Sequence, residues 1–68
     1  MSDHVYQSAE ITGSSSESIT EAIANAVKRA SASMPNLNWF EVQNVRGVID
    51  GDRVGYYQVT VKIGYRLD

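Results

Sequence analysis

The side chains best suited to chemistry in this chain of 68 residues are aromatic rings and amides. Its only tryptophan, Trp39, stands next to its only phenylalanine, Phe40. In an extended chain, neighbouring side chains point to opposite faces, so one ring enters the core and the other needs a partner outside it. An exposed indole beside amides and charges is typical of a subunit interface or of a platform for a planar ligand. Both can hold at once, and simple solvent exposure is the third alternative.

Other kinds of chemistry find little support in the sequence. The chain has no cysteine and one histidine, His4, which excludes disulfides and thiolate metal sites and leaves no histidine cluster for a metal. The serines at positions 14–16 suit the start of a helix, because a lone histidine near the terminus does not make a catalytic triad with them. We therefore expect neither an enzyme nor a metal site.

Size and charge restrict the partners. Six basic and eight acidic residues give a net charge of −2, so the sequence lacks the excess of basic residues that is typical of proteins that bind nucleic acid. No apolar run approaches the roughly 20 residues of a membrane span, and no leader opens the chain, so we expect a cytoplasmic protein without a membrane partner. Residues 1–68 suffice for a single domain. Cores of this size seldom supply more than about 3–5 kcal/mol, so we expect self-association.

The hydrophobic pattern predicts an α+β fold in the order β-α-β-β, in which a three-stranded antiparallel sheet carries one helix on one face. The first strand spans residues 5–12 and is closed by Gly13. The helix begins at Ser14 or Ser18, each followed by a glutamate three residues on, and it ends before Pro35. Strands at residues 37–49 and 53–67 are joined by a hairpin turn around Gly51. The predicted apolar stripe of the helix comprises Ile19, Ile23, Ala26, Val27, Ala30 and Met34.

One helix covers only one face of such a sheet. The alternation assigns Phe40 and Val42 to the covered core face, together with the odd-numbered residues 57–67. It assigns to the uncovered face Trp39, Glu41, Gln43, Tyr56, Gln58, Thr60, Lys62, Gly64 and Arg66. After Gln43 the alternation slips and places Val45 among polar residues and Arg46 among apolar ones. A bulge or bend near residues 44–47 would explain the slip.

Two stretches of this sequence together resemble the dodecin family. They are LNWFEVQNVRG at residues 37–47 and YQVTVKIGYRL at residues 57–67, and the helix start TGSS at residues 12–15 agrees with them. The resemblance covers essentially the whole chain. It implies β-α-β-β subunits that assemble into a hollow dodecamer and bind riboflavin or FMN non-covalently, as stacked pairs between subunits.

The resemblance also implies roles for individual residues. Trp39 would stack on the isoalloxazine ring, and the amide of Gln58 would hydrogen-bond to its polar edge. Arg46 and Arg66 match arginines of bacterial dodecins and would bind a flavin phosphate. Salt bridges from these arginines to Glu10 or Glu41 of a neighbouring subunit are the alternative.

The implied function is storage and photo-quenching of flavin without turnover. A rival is an oligomeric structural protein that has no physiological flavin. Another is a shell that binds a different nucleotide-like ligand, such as coenzyme A.

Overall fold

The computed structural model describes residues 3–68 and contains the predicted elements in the predicted order. The strands β1 (Tyr6–Ser15), β2 (Leu37–Asp50) and β3 (Arg53–Arg66) form one antiparallel sheet, and α1 (Ile19–Ser31) lies between β1 and β2 in sequence. The strand order is β1-β3-β2, so β3 is central. The predicted α+β fold is confirmed. Among residues 3–68, no helix is long and apolar enough to cross a membrane.

The core lies between α1 and the central strand. Val59, Val61 and Ile63 of β3 are buried against a row of small helix residues, Ala22, Ala26 and Ala30. Alanine on the helix lets its backbone come close to the sheet, where the branched side chains of β3 fill the space between them. The predicted stripe is shifted by part of a turn: Ile23, Val27 and Met34 pack at the margin of the core, and Ile19 is exposed.

Strand β2 contributes no buried residue to this core. Phe40 and Val42 are 50% and 42% exposed, so the prediction that they complete the core of the subunit is wrong. The reason is that α1 packs on β1 and β3 and does not extend over β2. Phe40, Val42 and Val45 pair with the three core residues of β3 and therefore share their side of the sheet. We call these three exposed residues the β2 apolar face.

The close approach of the helix depends on Gly13. The prediction that this glycine closes the first strand is wrong, because β1 continues to Ser15. Gly13 is buried, and a Cβ at this position would collide with the carbonyl oxygen of Ala22 and meet Cβ of Ala26 at 2.9 Å. Glycine inside a strand often marks such an approach of another backbone.

The helix begins at the later of the two predicted caps. Ser18 is the N-cap, and its hydroxyl accepts a hydrogen bond from the backbone N–H of Glu21 at 3.0 Å. The helix ends at Ser31, four residues before Pro35, and the chain then turns through Asn36 at a φ of 62°. Asparagine is one of the few residues that tolerate this left-handed geometry.

The hairpin between β2 and β3 has the predicted turn. Asp50 pairs with Arg53, so the loop is the two residues Gly51 and Asp52. Gly51 has a φ of +67°, whereas Asp52 is not among the residues with positive φ. A positive angle at the first loop position alone is the pattern of a type II′ turn, which favours glycine there.

A bulge in β2 accounts for the slip in its alternation. Val42 pairs with Val61 and Asn44 with Thr60, so Gln43 is an extra residue without a partner in β3. The predicted bulge is therefore present, one residue before the predicted range. After it, Val45 lies on the helix side of the sheet and the side chain of Arg46 on the other side.

Candidate functional site

The candidate site lies on the sheet face that α1 does not cover, which we call the open face. Its residues follow from the cross-strand register, because directly paired residues point to the same side. Four rows cross the sheet from β1 through β3 to β2: Ser8–Gly64–Trp39, Glu10–Lys62–Glu41, Thr12–Thr60–Asn44 and Ser14–Gln58–Arg46.

Trp39 is held at one end of this face by Gly64. The indole lies over the glycine, so that a Cβ added at position 64 would fall within the ring, closest to Cε2, Cζ2 and Nε1. Gly64 is buried, whereas 41% of Trp39 stays exposed. The ring is thus supported by the strand on one side and accessible on the other. Sequence reasoning placed Gly64 on this face but gave it no role. The signal that could have revealed its role is a glycine inside a long strand, which often marks the close approach of another group.

Arg66 belongs to the same end of the open face. It follows Gly64 by two residues, which places their Cα atoms about 7 Å apart along β3. Its Nε lies 3.5 Å from Oδ1 of Asp68 and donates to the backbone oxygen of Asp68 at 3.4 Å. Within residues 3–68 of one subunit, the ion-pair partner of Arg66 is therefore Asp68. The alternative salt bridges to Glu10 or Glu41 would join neighbouring subunits and stay a prediction.

Asp68 is contacted from the other terminus as well. Its Oδ2 lies 3.3 Å from Nδ1 of His4. The pKa of the Asp68 carboxyl is lowered from its ordinary value, chiefly because of the hydrogen bond with His4 and to a smaller extent because of the positive charges of His4 and Arg66. Sequence reasoning missed Asp68, since nothing local marks a carboxylate two residues beyond an arginine as its partner.

Gln58 and Arg46 form the other end of the open face. They are direct cross-strand partners, and Gln58 is half-buried while Arg46 is exposed. In the described part of the chain Arg46 takes part in no ion pair. Its guanidinium can therefore accept an anion without displacing a carboxylate of its own subunit.

The four predicted site residues thus form two separate pairs. Trp39 and Arg66 lie near Gly64, whereas Arg46 and Gln58 lie six positions away along β3. At about 3.3 Å per residue, the two pairs are about 20 Å apart. This distance exceeds the span of a three-ring aromatic system, so one ring cannot contact Trp39 and Gln58 of the same subunit.

Polar rows occupy the space between the two ends. Lys62 lies between Glu10 and Glu41, its partners on the two flanking strands, and opposite charges across strands are favourable. In the next row, the hydroxyls of Thr12 and Thr60 hydrogen-bond to each other at 2.8 Å. The middle of the open face is therefore polar, and its exposed aromatic side chains lie toward the two ends, Tyr6 and Trp39 at one and Tyr56 at the other.

On the opposite, helix side of the sheet, a cavity of about 170 Å³ opens between α1 and β2. It is lined by Val27, Leu37, Asn38, Trp39, Phe40 and Ile63. Because Phe40 borders it, the cavity is continuous with the β2 apolar face. No group of three or more potential metal ligands is found among residues 3–68.

Comparisons with known proteins agree with one another. The sequence model of the Dodecin family matches residues 5–68. A dodecin of Thermus thermophilus is 41% identical over 64 residues, which cover 94% of this chain and 93% of that protein. The solved structure of a dodecin from Streptomyces davaonensis superposes with a TM-score of 0.93 at 45% identity, covering 98% of both chains. That of the Streptomyces coelicolor dodecin gives 0.93 at 44% identity, covering 100% of this chain and 97% of the other.

Proposed function

Since this chain belongs to the dodecin family, we propose that it binds riboflavin or FMN between the subunits of a hollow dodecamer, where it stores the flavin and quenches its excited state. One observation carries the proposal. The indole of Trp39 is fixed over Gly64 yet exposed, on a sheet face that the helix of the subunit does not cover. An aromatic ring in this position is available for stacking on a planar ligand.

Stacking accounts for the proposed pairing of ligands. The exposed surface of Trp39 offers an apolar area on which a flavin ring gains contact and loses hydration. Two flavins stacked on each other and enclosed by the Trp39 side chains of two subunits bury all but the edges of their rings. Each site then requires an assembly, because one subunit supplies only one of the two indoles.

The spacing on the open face gives a second reason for a shared site. Gln58 is about 20 Å from Trp39 in the same subunit, so a flavin that contacts both takes them from different subunits. The Gln58 amide carries both a donor and an acceptor, which suits the alternating N–H and C=O groups at the edge of the ring. We propose that one subunit stacks on the ring and another hydrogen-bonds to its edge.

The arginines are proposed phosphate ligands. Arg66 lies on the same end of the open face as Trp39, and Arg46 pairs with Gln58. Either guanidinium can hold a phosphate through two parallel hydrogen bonds. Arg46 is free of ion pairs in the described part of the chain, whereas Arg66 already contacts Asp68. Arg46 therefore binds a phosphate at the smaller cost.

The β2 apolar face supports the proposed assembly. Phe40, Val42 and Val45 are between 42% and 50% exposed, side by side on an edge strand. A further subunit that covers these side chains removes apolar surface from water, at roughly 25 cal/mol per Å² buried. The sheet is therefore completed on its helix side by a neighbour, while the open face meets the ligand.

The proposed function is binding, not turnover. Light excitation makes a flavin a strong electron acceptor, and the stacked indole can donate an electron that returns at once. The excited state is thereby lost before it reacts. Flavin held in this way is protected from photochemistry and kept in reserve.

A fluorescence titration tests this proposal. Riboflavin and FMN are each added to the protein, and we expect flavin emission to be quenched until all sites are filled. Light scattering on the same sample should give the mass of a dodecamer. Full flavin emission in the presence of excess protein would contradict the proposal and favour a shell without flavin. Competition by coenzyme A in the same titration would test the other nucleotide-like ligand.

A further inference from the structure

We propose that Asp68 is an internal competitor for Arg66, held in place by His4, and that it lowers the affinity of the site for ligands that carry a phosphate. This inference rests on the proposed function, because it concerns the Trp39 end of the open face as a ligand site. It goes beyond that function by assigning Asp68 and His4 a part in ligand selectivity.

The backbone brings the three side chains together. Tyr6 pairs with Arg66 in the β1–β3 ladder, and the N–H of Leu67 donates to the carbonyl of Val5 at 3.0 Å. The antiparallel register thus continues past the end of the strands, where His4 faces Asp68. Arg66 and Asp68 are two positions apart on an extended chain and so lie on the same side. The cluster is therefore a product of the fold.

Asp68 occupies one edge of the guanidinium. Its carboxylate lies 3.5 Å from Nε of Arg66, and its backbone oxygen accepts from the same nitrogen. A phosphate that binds arginine side-on uses this Nε together with one terminal nitrogen. Asp68 therefore competes for the donor that such a phosphate needs, and its negative charge offsets the charge of Arg66.

His4 keeps the carboxylate in this position. It holds Oδ2 at 3.3 Å, while Arg66 engages Oδ1. The His4 hydrogen bond also lowers the pKa of Asp68, so that the carboxylate stays charged to a lower pH than an ordinary aspartate. Because His4 already restricts the Asp68 side chain, the contact with Arg66 costs less additional side-chain entropy than an isolated Arg66–Asp68 pair would.

The competition is moderate because the cluster is exposed. The side chains of Arg66 and Asp68 retain 40% and 50% of their exposure, and water screens such pairs strongly. A ligand phosphate can therefore displace Asp68 at a modest cost. Riboflavin, which has no phosphate, does not compete with it. The result is selectivity against the phosphorylated flavin, since only that ligand must break an existing contact.

Asp68→Asn tests this role, because it removes the charge and keeps the shape. The dissociation constants for FMN and riboflavin are measured side by side at about pH 8, where a phosphate monoester is dianionic. We expect FMN to bind roughly two- to fivefold more tightly than to the wild type, as an exposed pair of charges allows. Riboflavin affinity should not change. His4→Gln should give part of the same gain.

Two controls separate this effect from others. Asp52→Asn removes the same charge in the hairpin loop, at the other end of the sheet, and should leave the ratio of the two constants unchanged. Arg66→Gln combined with Asp68→Asn should lose the gain. An unchanged ratio in Asp68→Asn, with riboflavin still bound, would overturn the role of Asp68 alone. If the wild type bound neither flavin, the proposed function would fail and this inference with it.

Discussion

The indole of Trp39 rests on Gly64, its cross-strand partner, and occupies the space that a side chain at position 64 would take. This relationship fixes the position of the indole at one end of the open face. Glycine inside a strand generally weakens it, because glycine has no side chain to pack. At this position, however, the glycine lets the indole of Trp39 pack directly on β3 with one side, while its other side stays exposed.

Gly64→Ala should lower riboflavin affinity by about tenfold or more, because the added methyl group pushes the indole off its support and a stacked ring is worth roughly 1–3 kcal/mol. Fluorescence titration measures the loss. Gly55→Ala is the matched control in the same strand, since its methyl group would meet only Cβ of Asp50 at 3.3 Å and the oxygen of Val48 at 3.4 Å. Equal affinities in both variants would show that Gly64 does not position the ring.

Trp39→Ala should remove most flavin binding and quenching, because the stacking surface and the electron donor are lost together. We expect the affinity to fall by roughly 1–3 kcal/mol for each stacked ring. Trp39→Phe should keep part of the affinity, since a smaller ring still stacks, but quench less. Light scattering should show an intact assembly in both variants. Undiminished riboflavin affinity in Trp39→Ala would refute the stacking site.

The elements of the fold were predictable from the sequence, whereas the coverage of the sheet was not. The alternation in β3, the capping serines and Gly51 mark the elements through local chemistry, and all of them appear in the structure. The burial of Phe40 was predicted wrongly because burial depends on how whole elements pack, not on the pattern within one strand. A pattern shows which side of a strand is apolar, but only the packing of α1 decides whether the helix reaches that strand.

The candidate site was predictable to a similar degree. The sequence pattern assigned Trp39 and Gln58 to one face, and the cross-strand register confirms that they share it. Their separation of about 20 Å follows from the pairing of Trp39 with Gly64, six positions from Gln58 on β3, and the sequence pattern alone assigned faces but no cross-strand partners. The contact between Arg66 and Asp68 involves two exposed side chains whose position no pattern specifies.

Phe40→Asp should weaken the assembly, because it places a charge in the β2 apolar face. Burial of a phenylalanine contributes about 1.5–3 kcal/mol, and each subunit would lose this amount. Light scattering over a dilution series should show a lower mass than for the wild type. Thr20→Asp introduces the same residue at an exposed helix position and serves as the control. A wild-type mass for Phe40→Asp at every concentration would mean that no neighbour covers this face.

Gly13→Ala should destabilise the subunit, because the methyl group has no room beneath α1. Overpacking of this kind costs about 1–3 kcal/mol, and more when the neighbouring atoms belong to the backbone, as the carbonyl of Ala22 does. Urea unfolding at one fixed protein concentration measures the change. Ser14→Ala is the control, since it keeps the backbone oxygen that accepts from Nδ2 of Asn25. Equal unfolding midpoints for Gly13→Ala and the wild type would contradict the close contact.

Acid should reveal the contribution of Asp68 to stability. Its pKa in the folded protein lies below the ordinary carboxyl value of 3.8, so the unfolded chain binds its proton first as the pH falls. The stabilisation is therefore complete above that value and is lost below it, as the pH falls through the folded pKa. Between about pH 6 and about pH 3, Asp68→Asn should lose less stability than the wild type in urea unfolding. Parallel losses in the two proteins would contradict the contact with His4.

The bulge at Gln43 has a consequence for how this sequence tolerates change. Deletion of that one residue should leave every later side chain of β2 on its present side of the sheet, because Val42 and Asn44 already pair with the successive β3 residues Val61 and Thr60. Arg46 would stay beside Gln58 on the open face, and Val45 would stay on the helix side. The bulge thus absorbs one residue that the pairing of β2 with β3 does not need, whereas a deletion among the paired residues that follow it would exchange the two sides of the strand.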